Sequence, residues 1–83
     1  MRRSDQPQPA LGEAIRQLRR KRDLTQEDVA HAAGITTGTL SLIERGHANP
    51  TWSTVKAIAG ALDTSLAKVA EVSARFDGSA SSL

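Results

Sequence analysis

The sequence predicts an all-α domain, a compact bundle of five short helices without a sheet. Three observations lead there. Apolar residues recur at three- and four-residue intervals in five successive stretches, which is one face of an α-helix repeated five times. Thr25, Thr36 and Thr51 stand just before three of these stretches, and Gly34 and Gly46 close two of them; these are the residue types that cap helix starts and ends. Tyrosine is absent, phenylalanine occurs once, and no stretch alternates apolar and polar with a period of two, so nothing favours a strand.

The first helix is expected over about 10–22, with Leu11, Ile15 and Leu18 as its apolar stripe, Ala14 beside it, and arginines gathered at its C-terminal end, where the helix dipole favours cations. The second begins at Thr25. Asp28 lies three residues on, which completes a capping box, and Leu24 can staple onto Val29. Ala30 and Ala33 keep its inner face small, and Gly34 supplies the left-handed turn that ends it. The third runs from Thr36 to about Arg45, anchored by Leu40 and Ile43, with Ile35 packing from outside the cap and Gly46 as terminator. His47–Pro50 forms a loop, since Pro50 steers its predecessor away from helix. The fourth spans about 52–62 behind Thr51, with Val55, Ile58, Ala59 and Leu62 inward. The fifth runs from near Ser65 to about Phe76, and its apolar set of Leu66, Val69, Ala70, Val72 and Phe76 is wider than a small core requires.

Eighty-three residues make a single domain with a thin core and modest stability. Its expected organisation is a flexible basic arm at 1–9, containing Pro7 and Pro9, then the folded domain at 10–76 and a Gly/Ser-rich tail at 77–83. With no cysteine, there is neither a disulfide framework nor a thiolate metal site. No apolar run approaches a membrane span, and no hydrophobic signal core follows Arg2 and Arg3. A cytoplasmic protein without membrane association is the expectation. His31 and His47 share no metal-ligand motif, and no nucleophile elbow, P-loop or dinucleotide fingerprint is present, so no enzyme, metal or cofactor is expected.

The net charge of +2 conceals a gradient. Residues 1–22 carry seven basic and two acidic side chains, while the remainder carries four basic and seven acidic ones. A positive field confined to one end attracts polyanions, nucleic acid above all, although a plain solvated helix face would look the same.

The stretch Leu24–Gly46 writes two short helices joined by a glycine turn, an arrangement that projects the start of the second helix and fits it to the major groove of B-DNA. On that helix Thr37, Gly38, Ser41 and Leu42 face outward, with Thr39 turned partly back. Threonine and serine can bond base edges and leucine can touch a thymine methyl, but no Arg, Gln or Asn is present for bidentate base contacts. Gly38 costs the helix roughly 1 kcal/mol relative to alanine, which close approach of a ligand to the backbone would offset. Phosphate contacts are expected from Thr25, Gln26, Thr36, Thr39, Arg45, His47 and Asn49, with Gln26 at a helix N-terminus that already favours anions.

Residues 11–72 resemble the phage-repressor-like, or XRE, helix-turn-helix domains. The pieces that match are Ile15-Arg16-Gln17-Leu18-Arg19, Leu24-Thr25-Gln26-Glu27-Asp28-Val29-Ala30, Ala33-Gly34-Ile35, Thr39-Leu40-Ser41-Leu42-Ile43-Glu44-Arg45-Gly46 and Asn49-Pro50-Thr51. The resemblance implies the phage-repressor DNA-binding fold, with the second and third helices as the helix-turn-helix, and a sequence-specific transcription regulator of double-stranded DNA. It implies that Gln26 contacts phosphate and buttresses the recognition helix, that Thr37, Gly38 and Leu42 fall at base-reading positions, and that Arg19 and Glu44 form a partly buried ion pair. Arg20 and Arg22 would then be free for solvent or phosphate. Two departures stand out. Relatives often carry Arg, Gln or Lys where this chain has Thr37 and Leu42, which shifts weight towards shape readout, and Asp63 stands where relatives place glycine.

A homodimer on paired half-sites about 34 Å apart is expected, with Leu66, Val69, Val72 and Phe76 assigned to its interface. Trp52 either covers the core edge or meets a sugar-phosphate or partner subunit. Two other readings stand beside the regulator: an antitoxin-type module with a small protein partner, and an architectural DNA binder of low specificity.

Overall fold

The computed structural model describes residues 9–77, and the described residues contain no strand. Five helices follow in order: α1 (Pro9–Lys21), α2 (Gln26–Ala33), α3 (Thr37–Glu44), α4 (Trp52–Ala61) and α5 (Leu66–Asp77). The expected arm and tail lie outside the described residues except at their inner ends. Pro9 opens α1 and Asp77 closes α5, so both belong to helices. Proline is well placed there, because a first-turn N–H has no intrahelical acceptor to lose.

The caps form as the sequence dictates. Thr25 Oγ1 accepts from the Asp28 N–H at 3.0 Å while the Thr25 N–H donates to Asp28 Oδ2 at 2.9 Å, closing the capping box. Thr36 and Thr51 cap α3 and α4 by accepting from the N–H groups of Thr39 and Thr54. Ser65 does the same for α5 through Lys68. Gly34 ends α2 at φ +76°, and Gly46 follows α3 at φ +77°.

Two further turns use aspartate in the left-handed region, Asp23 at φ 57° after α1 and Asp63 at φ 56° after α4. Aspartate tolerates this conformation better than most non-glycine residues. Asp63 therefore makes the turn that relatives make with glycine. The two turns are also tied together, since Arg22 Nη2 donates to the Asp63 carbonyl at 3.3 Å. Arg22, expected to be free, is engaged in holding the fold.

α1 packs chiefly against α5 and α3, and α2 against α4 and α3. The shared core consists of Ala14, Ile15 and Leu18 from α1, Val29 and Ala30 from α2, Leu40 and Ile43 from α3, Ile58, Ala59 and Leu62 around α4, and Val69 and Val72 from α5. Val69 and Val72 were expected at a dimer interface. Both are consumed by the chain's own core at 2% and 3% exposure, so neither is available to a partner. Val55, expected inward, is only half-buried. Gly12 is buried in α1, where an added Cβ would meet the carbonyl oxygens of Ile43 and Glu44; only glycine lets α1 lie this close to the end of α3.

Candidate nucleic-acid interface

The site is built on a polar seam beneath α3. Arg19 of α1 grips Glu44 of α3 with both arms of its fork, Nε to Oε2 at 2.7 Å and Nη2 to Oε1 at 3.1 Å. Its remaining arm donates to the Leu24 carbonyl at 2.8 Å, in the turn before α2. Gln26, the first residue of α2, donates Nε2 to Glu44 Oε1 at 3.0 Å. The Glu44 side chain is only 2% exposed and that of Arg19 12%, so the pair is nearly dry, and the carboxylate accepts three hydrogen bonds. A buried carboxylate of this kind is tolerated because it is both paired and hydrogen-bonded. The network fastens α1, α2 and α3 to one another, and Gln26 buttresses α3 as the resemblance implied.

This fastening sets the outer face of α3. Thr37, Gly38 and Thr39 are exposed, Ser41 is half-buried, and Leu42 is 43% exposed, which is high for a leucine. Thr39, expected to turn partly back, is held at the rim: the Thr36 hydroxyl donates to Thr39 Oγ1 at 2.8 Å, which leaves the Thr39 hydroxyl hydrogen to point elsewhere. Gly38 has open space around its missing Cβ; the nearest atom that would meet it is Thr36 Oγ1, at 4.0 Å. Nothing among the described residues demands glycine there.

Around this face lie the residues assigned to phosphate. Thr25 and Gln26 mark the start of α2, Thr36 the start of α3, and Arg45, His47 and Asn49 are exposed at and beyond its end. Arg45 makes one long contact, Nε to the Ser41 carbonyl at 3.4 Å, so its terminal nitrogens remain available.

Sequence reasoning missed a cleft of about 340 Å³ between α1 and α3, rimmed by Arg16 and Arg20 of α1 and by Gln26, Ser41 and Arg45, with the Arg19–Glu44 pair lining it. The signal was present. Arg16 and Arg20 are four apart, hence on one face of α1, and Arg19 beside them was already tied to α3.

A second, mostly apolar groove of about 330 Å³ lies at α4 and α5 and includes Leu11, Trp52, Val55, Leu66, Val69 and Ala70. Trp52 does not cover the core edge; it is 68% exposed. Phe76 lies elsewhere, beside Glu13, Arg16 and Gln17 of α1, so the residues assigned to a dimer interface do not share one face. No helix among the described residues is long and apolar enough to cross a membrane.

The fold that carries this capped and buttressed α3 is shared with known proteins. The helix-turn-helix family matches residues 15–69. The chain belongs to this family of DNA-binding transcription regulators. It is 42% identical over 52 residues to the immunity repressor protein of Bacillus phage phi105, covering 63% of this chain and 36% of that repressor. It is also 42% identical over 55 residues to the uncharacterized HTH-type transcriptional regulator y4dJ of Sinorhizobium fredii, covering 66% of this chain and 71% of that protein. The match thus spans about a third of the phage repressor's length. Among solved structures, the clp gene regulator ClgR of Corynebacterium glutamicum superposes with a TM-score of 0.80 at 30% identity, over 83% of this chain and 90% of that one. The restriction-modification controller protein C.AhdI of Aeromonas hydrophila superposes with a TM-score of 0.72 at 28% identity, over 74% and 92%.

Proposed function

We propose that this chain is a sequence-specific regulator that lays α3 in the major groove and works as a homodimer on paired half-sites. The observation that carries this reading is the contrast at α3: an outer face of Thr37, Gly38, Ser41 and Leu42 mounted on the rigid Arg19–Glu44–Gln26 seam. Thr25, Gln26, Thr36, Thr39, Arg45, His47 and Asn49 would hold the phosphate backbone and so fix register. Gln26 retains a second N–H for that purpose after bonding Glu44. Thr37, Ser41 and Leu42 supply weak base contacts, so groove shape carries a share of the discrimination.

The dimer reading is supported by the α4–α5 groove, where Trp52 stands exposed beside Leu66. Tryptophan so placed is typical of an interface anchor. Val69 lines the floor of that groove from the core, while Phe76 and Val72 are not among its lining residues.

Selection of bound duplexes from a random pool, followed by affinities for the selected and a scrambled duplex at one salt concentration, tests the reading. A ratio of about 10³ or more is expected for a specific regulator; a ratio near one overturns specificity and leaves an architectural binder. Sedimentation of wild type and Trp52→Ala tests the dimer. A wild-type monomer in the presence of its half-site pair, or a dimer untouched by the substitution, removes the groove from the assembly.

A further inference from the structure

We propose that the cleft between α1 and α3 is a binding site for a DNA backbone phosphate, so that α1 itself grips the duplex through Arg16 and Arg20. This rests on the DNA reading of α3 and extends it to α1.

The charge of the cleft is unbalanced at its rim. Glu44 is engaged by Arg19 and Gln26, and Arg19 spends three of its five N–H groups on Glu44 and the Leu24 carbonyl. Arg16, Arg20 and Arg45 then surround the opening. Arg16 meets Glu13 only at 3.8 Å, in an exposed pair of the kind that exchanges readily with water or another anion. The Arg20 side chain has no hydrogen-bond or ion-pair partner among the described residues, and that of Arg45 has only its long contact to its own helix. Three guanidinium groups thus stand at a rim whose one lining carboxylate, Glu44, is already taken by Arg19, and the excess positive charge is offset by an external anion. Guanidinium forks match phosphate oxygens in geometry as well as charge.

Position identifies which phosphate. Gln26 and Ser41 belong both to this cleft and to the surface around α3 that faces the duplex. A strand running past the start of α2 and along the outer side of α3 therefore crosses the cleft opening. Arg16 and Arg20 reach it from one side and Arg45 from the other.

The test is the salt dependence of binding by the full chain to its selected duplex, for wild type, for Arg16→Gln/Arg20→Gln, and for Lys68→Gln on α5, away from the cleft. Each phosphate contact contributes about 0.9 to the slope of log affinity against log salt. The double variant is expected to lower that slope by about 1–2 and to weaken binding about ten- to a hundredfold at 0.1 M salt. The loss should be equal for specific and scrambled duplexes, because a phosphate contact carries no sequence information. The melting temperature should stay at the wild-type value, since neither side chain is buried. A double variant with the wild-type slope overturns the cleft while leaving the DNA reading of α3 intact. An equal fall in slope for Lys68→Gln also overturns it, by reducing the effect to net charge. A wild-type chain that binds no duplex overturns the DNA reading, and the cleft proposal with it.

Discussion

Along the inner side of α3, Leu40, Ile43 and Glu44 are buried and the carbonyls at its end rest against Gly12 of α1. Along the outer side, Thr37, Gly38 and Leu42 are exposed and Ser41 half so, and a Cβ added at Gly38 would meet nothing among the described residues closer than 4.0 Å. One helix thus carries residues that the fold dictates and residues that it leaves alone. The inner set determines where the helix points; the outer set determines what it can recognise. Substitutions on the inner side should appear in the melting temperature, and those on the outer side in DNA affinity.

The largest effect is expected from Arg19→Ala. Glu44 would be left in a nearly dry site with one remaining donor, from Gln26. Stranding one partner of such a pair costs about 3–5 kcal/mol, a fall in melting temperature of roughly 12 °C or more for a domain of this size. Arg20→Ala, one residue on but exposed, should change stability by less than about 0.5 kcal/mol. Equal melting temperatures for the two variants would refute the seam as the anchor of α3.

Gly12→Ala comes next. The new methyl would collide with backbone carbonyls at Ile43 and Glu44, which cannot move without displacing the end of α3. Overpacking of this kind costs about 1–3 kcal/mol. Thermal unfolding followed by circular dichroism measures it, and an unchanged midpoint would mean that α1 and α3 can separate freely.

Gly38→Ala should act in the opposite sense on the two readouts. Alanine suits a helix better than glycine by about 0.5–1 kcal/mol, so the free protein should melt slightly higher. If the duplex backbone or a base edge packs against the bare Cα, DNA affinity should fall at the same time. Gly60→Ala on α4, where a Cβ would also meet open space, is the control; it should raise stability and leave binding unchanged. Parallel behaviour of the two glycine variants would remove Gly38 from the recognition surface.

The inner and outer sides of α3 were unequally legible in the sequence. Caps, turn glycines and the apolar stripe are local properties, and Thr25, Thr36, Thr51, Gly34, Leu40 and Ile43 all took their expected places. The Arg19–Glu44 pair links residues 25 apart, which periodicity cannot detect; only the resemblance implied it. Gly12 looked like an ordinary helix residue, because its partners are backbone atoms of another helix. The α4–α5 half was misjudged for a related reason. An apolar residue on a wide helical face reads the same whether it meets its own core, as Val69 and Val72 do, or solvent, as much of Trp52 does. The allocation depends on how α1 lies across α5, and no local pattern encodes that.

The smallest effect separates anchoring of α2 from anchoring of α3. The backbone N–H of Thr25, and after it the Thr25 side chain, bond the Asp28 carboxylate and hold its pKa below the usual aspartate range, against a small opposing contribution from desolvation. A carboxyl whose folded pKa is depressed contributes stability that is present above its unfolded value, near pH 4, and is lost as pH falls through the lower folded value. Melting temperatures of wild type and Asp28→Asn should therefore differ at neutral pH and converge as the solution is acidified below about pH 4. The asparagine variant keeps an acceptor oxygen but no charge, so a gap that persists unchanged into acid would mean that the capping box acts through shape rather than through its ionised carboxylate.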